Sequence, residues 1–317
     1  MNPFIAPGEW LKAALHVHTT ASDGKVSPRE ALEAYRELGY DVVALTDHDR
    51  VTLADPPAGL TLLTGAEWSA AVPDSPAGFH FVTVGIGPVD AAAVMALRDR
   101  PIEMAALLRT LCPVVIVAHP YWSALTTELL DALGPDGALE VYNHGCELED
   151  ALGYSHYVWD QLLARGRHWL GLAVDDSHWS APDHGGAWVM PKSSDHGEAP
   201  VMAKSPDHGG AWVMVKSPDR SPSSVVAALS SGCFYSSTGP TIESFSLTGR
   251  TVTLRCSAAV SILLRCNGSL GTGLHRPAPG ESLTFAEHLL PARARFVRAE
   301  VTDSAGGKAW TNPIYLA

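Results

Sequence analysis

The sequence contains no Cys-x-x-Cys pair. Its five cysteines (Cys112, Cys146, Cys233, Cys256 and Cys266) are scattered and odd in number, which speaks for reduced thiols and against a disulfide framework or a cysteine-held zinc. Cations are also scarce: 22 Lys and Arg face 34 Asp and Glu, a formal net charge of -12. That balance argues against extended nucleic acid or an anionic membrane as the main partner, since both select basic surfaces. No run of about 18 apolar residues occurs, so no membrane span is expected. The opening "MNPFIAPGEWLK" has no basic segment followed by an apolar one, and a cytoplasmic location is expected.

What is present in excess is histidine, 14 in 317 residues. Two of them stand in "LHVHTTASDG" (15–24). Side chains at i and i+2 of an extended segment share a face, so His16 and His18 converge while Leu15 and Val17 turn away. The pair reads either as the start of a metal site or as two histidines on the solvated face of an edge strand.

The length allows one large domain, or a large and a small one. From Leu15 to about Val174, short apolar runs ("ALHVH", "VVALT", "TLLT", "FHFVTVGI", "VVIVA", "ALEVY", "WLGLAV") alternate with helical patterns, which predicts parallel βαβ units. "SPREALEAYRELGY" predicts a helix with Ser27 as N-cap, Pro28 at the first position, Glu30 closing a capping box, and Leu32, Tyr35 and Leu38 on one face. Further helices are predicted over about 147–165 and from Ser221-Pro222 onward. Beyond about Thr241 only strand runs with turn signals follow. They predict a small all-β sandwich over 241–317, packed against the first domain (1–240) or mediating association. His275 and His288 in it are expected to be isolated and exposed.

Residues 181–216 hold three tandem copies of a 12-residue unit, "APDHGGAWVMPK", "SSDHGEAPVMAK" and "SPDHGGAWVMVK". Prolines in the first two copies suit a central strand poorly. The third, through 209–215, is therefore expected in the sheet, with about two units looped out. Copying alone explains the even spacing of His184, His196 and His208.

Ligand-type residues fall at the ends of the apolar runs: His16 and His18; Asp47, His48 and Asp49; Glu67; His119; Asn143 and His144; Asp175, Asp176 and His178. His80 stands at the start of its run instead. Strand-end His and Asp commonly cap helices or bond loop backbone. Six such termini opening on one mouth would need metal ions to be mutually tolerable.

The motifs "HVHTTASDG", "TDHD", "GAE", "AHP" and "DDSH", in this order, resemble the polymerase and histidinol phosphatase (PHP) metallohydrolases. "EVYN", "GGAWVMVKSP", "FYSSTGPTI" and "AWTNPIY" resemble in particular its CehA/McbA-like branch. The resemblance implies an α/β fold, a distorted (β/α)7 barrel, with two or three divalent ions (Zn, Mn or Fe) at its mouth. Carried over by position, it implies His16, His18, Glu67 and Asp176 for one ion, Glu67, His80 and His119 for a second, and Asp23, His48 and His178 for a third. Asp176 is preferred to Asp175 because the family spacing is D-x-H. Asp47 and Asp49 are expected to orient histidines or form turns.

The expected chemistry is attack by a metal-bridging hydroxide, with His144 or His178 protonating the leaving group. Lys25, Arg50 and Asn143 are candidates to hold substrate, with solvated turns and capping as their ordinary uses. The function implied is a phosphoesterase for a small phosphate ester or nucleotide-like substrate. The alternatives are a carbamate or carboxylic ester hydrolase with an apolar pocket of Trp68, Tyr121 and Trp122, a 5'-3' exonuclease acting on short oligonucleotides, and an inactive metal-stabilised binding protein.

Overall fold

The computed structural model describes residues 2–180, 207–267 and 272–316. The first part of the chain runs β1 (Glu9–Ala14), α1 (Pro28–Glu37), β2 (Val42–Leu45), β3 (Thr61–Ala71), β4 (Gly78–Val84), α2 (Ala91–Met95), α3 (Pro101–Leu111) and β5 (Val114–Val117). It continues through α4 (Thr127–Asp131), β6 (Asp136–Asn143), α5 (His144–Asp150), α6 (His156–Ala164), β7 (His168–Val174), β8 (Trp212–Ser217), α7 (Pro222–Ser230) and β9 (Phe234–Ser237). The remainder is β10 (Ile242–Thr248), β11 (Thr251–Ala259), β12 (Ser261–Arg265), β13 (Gly273–His275), β14 (Leu283–Leu289), β15 (Phe296–Thr302), β16 (Lys308–Thr311) and β17 (Ile314–Tyr315). Among the described residues no helix is long and apolar enough to cross a membrane.

β1, β2 and β3 pair in parallel, as do β5, β6 and β7. The expectation of parallel pairing throughout fails at β4, which runs antiparallel to both β3 and β5. The link 72–77 between β3 and β4 is too short for a parallel crossover, which takes a dozen or more residues. An isolated parallel bridge between Val17 and Ser177 joins the chain beyond β1 to the chain beyond β7, bringing the two ends of this strand path together.

Local chemistry sets the helices as the sequence indicates in two cases. Ser27 and Glu30 form the capping box of α1, whose buried face carries Ala31, Leu32 and Tyr35, and Ser221 caps α7. The helix expected over 147–165 is instead two. Asn143 caps α5 early by accepting from the Cys146 amide, and the left-handed Ala151 (φ 56°) ends it before α6 begins.

β8 lies between β1 and β9 with Val213 and Val215 in the core, so the third repeat copy enters the sheet, with Trp212 as its first strand residue. The expectation that two units loop out falls on 181–206, outside the described residues. β16 pairs with β9, so the C-terminal strands continue the main sheet, while β10, β11 and β14 form a separate three-stranded one. His275 and His288 are half-buried and meet edge to face at 6.1 Å, not isolated and exposed as expected. All five cysteines are buried and free.

A buried ion network fastens α6 to the C-terminal strands. Arg298, with no exposed surface, donates to Asp160 Oδ1 at 2.8 and 2.6 Å and lies over Trp159 at 4.6 Å; Arg265 approaches Asp160 from the other side at 3.2 Å. Removing Asp160 leaves the buried Arg298 guanidinium without its hydrogen-bonded carboxylate, Glu300 at 3.8 Å being the nearest that remains. Asp160→Asn is expected to cost about 3–5 kcal/mol, and urea unfolding of the variant checks this.

Candidate metal centre

The segment after β1 stays extended through Val17, which bridges to Ser177. Leu15 and Val17 are buried in apolar clusters, and alternation turns His16 and His18 to the opposite face. There His18 Nε2 lies 3.1 Å from His16 Nε2, and each is 3.2 Å from Glu67 Oε2 and 3.1 Å from Asp176 Oδ1. The Glu67 carboxylate is a hub. Its Oε2 also faces His48 Nδ1 at 3.2 Å, and its Oε1 faces His80 Nδ1 at 2.8 Å and His119 Nε2 at 3.3 Å. A third group gathers beside it, with Asp23 Oδ2 3.5 Å from both His48 Nε2 and His178 Nε2, and Asp23 Oδ1 3.5 Å from His18 Nδ1.

His80 reaches this cluster from β4. It pairs with Ser69 in register, and Ser69 shares a face of β3 with Glu67, so cross-strand geometry places imidazole beside carboxylate. Glu67 itself lies inside β3 and not at its end, because the hairpin with β4 carries the strand on to Ala71. His119 (φ 27°) and Asp176 (φ 53°) adopt left-handed backbone, a conformation that non-glycine residues resist and that is found where function demands it.

Supporting groups fix these side chains. Glu140 accepts from His16 Nδ1 at 2.7 Å and from the His119 amide at 2.7 Å. Ser123 bonds His119 Nδ1 at 2.8 Å. Asn143 donates to both Glu140 and Asp176. Asp47 accepts from the Thr19 amide and from the Thr19 and Ser22 hydroxyls, which shapes the turn that presents Asp23. Gly24 is required in that turn, since a Cβ there would stand 2.6 Å from the His18 carbonyl carbon.

Protonation follows the same geometry. Burial disfavours the charged form of His16, but Asp176, Glu67 and Glu140 outweigh it and hold its pKa well above the ordinary value. Burial likewise opposes protonation of His18, and hydrogen bonds to Asp176 and Glu67 lift its pKa to about 9. Burial would raise Glu67 and Asp176, yet the surrounding imidazoles hold both well below the carboxylate range. At His48 burial prevails over Glu67, and the pKa falls.

The donor set fits divalent metal. His16 Nε2, His18 Nε2 and Glu67 Oε2 form a triangle with sides of 3.1–3.2 Å, and a point just off its plane lies about 2.0 Å from all three, close to the distances at which His nitrogen and carboxylate oxygen bind zinc. His16, His18 and Glu67 form one metal-competent group; His18, Asp23, His48 and His178 form another; His48, Glu67 and His80 form a third.

All nine expected ligands are thus in one place, Asp176 included. Asp175 serves differently: its carboxylate accepts from the amides of Gly209, Gly210 and Ala211 and from the Tyr35 hydroxyl. A cavity of about 370 Å³ opens over the ligands, with Lys25, Trp122, Cys146, Glu149 and Ser180 on its walls.

Other candidates lie elsewhere. His144 bonds Tyr142 through Nδ1, and its Nε2 lies where a Cβ on Gly210 would come within 2.1 Å; it is not on the cavity wall. Arg50 donates to the Ala21 carbonyl and lines a separate hollow with Leu53. Asn143 is a buried cap and carboxylate anchor. Trp68 is fully buried and donates to Thr83, which removes it from any substrate pocket. Tyr121 is exposed but off the cavity wall. His208 packs on Trp179 at 4.3 Å and not among the ligands, while His184 and His196 lie outside the described residues.

Glu140 and Ser123 were missed from the sequence. A carboxylate inside the apolar run "ALEVY" was the available signal for Glu140, because such a group is buried only with partners.

No family model matches the chain. A 5'-3' exoribonuclease of Haemophilus influenzae is 41% identical over 64 residues, which is 18% of this chain and 23% of that protein's length. Among solved structures, a two-domain protein from Bacteroides vulgatus, described as containing a predicted PHP-like metal-dependent phosphoesterase, aligns over 97% of this chain and 96% of its own at 16% identity, with a TM-score of 0.46. An amidohydrolase from Chromobacterium violaceum aligns over 54% of this chain and 88% of its own at 18% identity, with a TM-score of 0.37.

Proposed function

We propose that the chain is a metal-dependent hydrolase of the PHP class and its CehA/McbA-like branch, acting as a phosphoesterase on a small phosphate ester or nucleotide-like substrate. One observation carries the reading: the two oxygens of a single buried carboxylate, Glu67, face five imidazoles, an arrangement suited to a shared ligand between cations. On this reading the β1–β7 path is a distorted (β/α)7 barrel and 241–317 a small β domain.

His16, His18, Glu67 and Asp176 would hold one ion, Glu67, His80 and His119 a second, and Asp23, His48 and His178 a third. Zn, Mn and Fe all suit these ligand types. When bound, such ions supply Lewis-acid polarisation of the scissile centre and acidify water. The protein's part is to fix the ligands: Glu140 holds His16 by Nδ1, leaving Nε2 for metal, and Asn143 aims Asp176. His178 Nδ1 lies 3.1 Å from the Asp176 carbonyl, a tautomer that leaves the Nε2 lone pair facing Asp23. This suits a ligand, and His178 can donate a proton only when no ion occupies Nε2.

Lys25, on the cavity wall, is the cation placed to hold a phosphate oxygen. Lys25→Ala is expected to lower kcat/KM for p-nitrophenyl phosphate roughly 10- to 100-fold, the worth of one charge-assisted hydrogen bond, and to leave 1-naphthyl methylcarbamate turnover unchanged. Equal losses on both substrates, or none on the phosphate, would refute the phosphate assignment. A 5'-3' exonuclease acting on short oligonucleotides is the second reading, supported by the 64-residue similarity to a 5'-3' exoribonuclease.

A further inference from the structure

The three ligand groups are not built alike. His16, His18 and Glu67 have at most 1% of their side-chain surface exposed and Asp176 has 8%, whereas His48 and His178 are about a quarter exposed and Asp23 is half exposed. His16 Nε2 and His18 Nε2 lie 3.1–3.2 Å from each other, from Glu67 Oε2 and from Asp176 Oδ1, whereas Asp23 Oδ2 stands 3.5 Å from each of its two histidines. Support differs in the same direction. The buried group is braced by Glu140 and Asn143, but the Asp23 carboxylate is met by the Ser22 hydroxyl on an exposed turn.

From this asymmetry we infer that Asp23, His48 and His178 form an exchangeable metal position that loads last and empties first, so that the ion count of the protein follows the free metal concentration. The inference rests on the proposed metal-dependent activity and adds its regulation. Three physical terms act together. Water competes for an ion held by exposed ligands. His48 and His178 are each held through Nδ1, by Glu67 and by the Asp176 carbonyl, but Asp23 has an exposed hydroxyl as its outer partner, where well-built outer partners commonly contribute 10- to 100-fold in metal affinity. A third dication must also approach two others that already share Glu67, and that approach is repulsive.

Asp23 also links the positions. Its Oδ1 is 3.5 Å from His18 Nδ1 and its Oδ2 faces the exchangeable position; the Ser22 hydroxyl stands equally near His18 Nδ1, and an Asn amide oxygen at position 23 would keep the first contact.

The test is equilibrium dialysis of the full chain against buffered free Zn²⁺, and separately Mn²⁺, with metal per chain read by elemental analysis. The expected result is a last ion that binds at a free concentration at least tenfold higher than the others. Asp23→Asn should abolish that step and keep the tighter ions. Loss of all ions in one step, or loss of the tight ions in Asp23→Asn, overturns the inference and leaves the hydrolase reading standing. A folded protein that takes up no metal overturns both.

Discussion

Glu67→Gln is expected to strip most bound metal from the protein and to lower hydrolysis of bis-(p-nitrophenyl) phosphate at least a thousandfold. The magnitude follows from position. Losing a partner outside the coordination sphere already costs about 10- to 100-fold, and Glu67 stands at the junction of the His16–His18, His48 and His80–His119 groups. An amide keeps the shape but removes the charge, and it presents a donor to imidazole nitrogens turned toward a metal. Elemental analysis and initial rates on the same preparation measure both effects. A variant with full metal content, or with activity within tenfold of the parent, would refute the shared-ligand role.

Asp175→Ala is expected to be the most damaging change to stability among the residues adjoining the site. The carboxylate is fully buried and accepts from three successive amides, at 2.8, 3.0 and 2.7 Å, and from the Tyr35 hydroxyl at 2.9 Å. Each buried donor left without a partner costs about 1–3 kcal/mol, and water entering the space offsets part of that. A net loss of roughly 3–6 kcal/mol follows. The three amides belong to the segment that leads into β8, so the loss also loosens the seam beside β1. Asp175→Asn, which keeps one acceptor oxygen, is expected to recover about half. A change under about 1 kcal/mol in urea unfolding would contradict this account.

The contrast between these two acids marks how far the sequence could be read. Most of the candidate ligand positions were legible because they sit in short motifs whose spacing survives in the fold: two residues from His16 to His18, a glycine turn at Asp23, and D-x-H at Asp176 and His178. Neither the antiparallel entry of β4 nor the service of Asp175 was legible, since both depend on residues far along the chain. His80 was anomalous as a strand-end ligand and is ordinary as a cross-strand neighbour of Glu67. Nothing local in "DHGGAW" says that the amides of 209–211 will turn to a carboxylate 34 to 36 positions earlier. Glu140 was overlooked because its partner, His16, is 124 residues away. The single helix expected over 147–165 starts earlier because Asn143, whose side chain also serves Asp176, caps it, and it is broken in two by the left-handed Ala151.

The central claim is that these side chains assemble around divalent ions to run hydrolysis. The most direct measurement is metal per chain in protein purified without chelator, compared with His16→Ala and paired with phosphodiester turnover. The account predicts two or three ions per chain in the parent, together with turnover that disappears in the variant along with buried metal. Well-folded parent protein holding less than one ion per chain, or turnover untouched by His16→Ala, would contradict it.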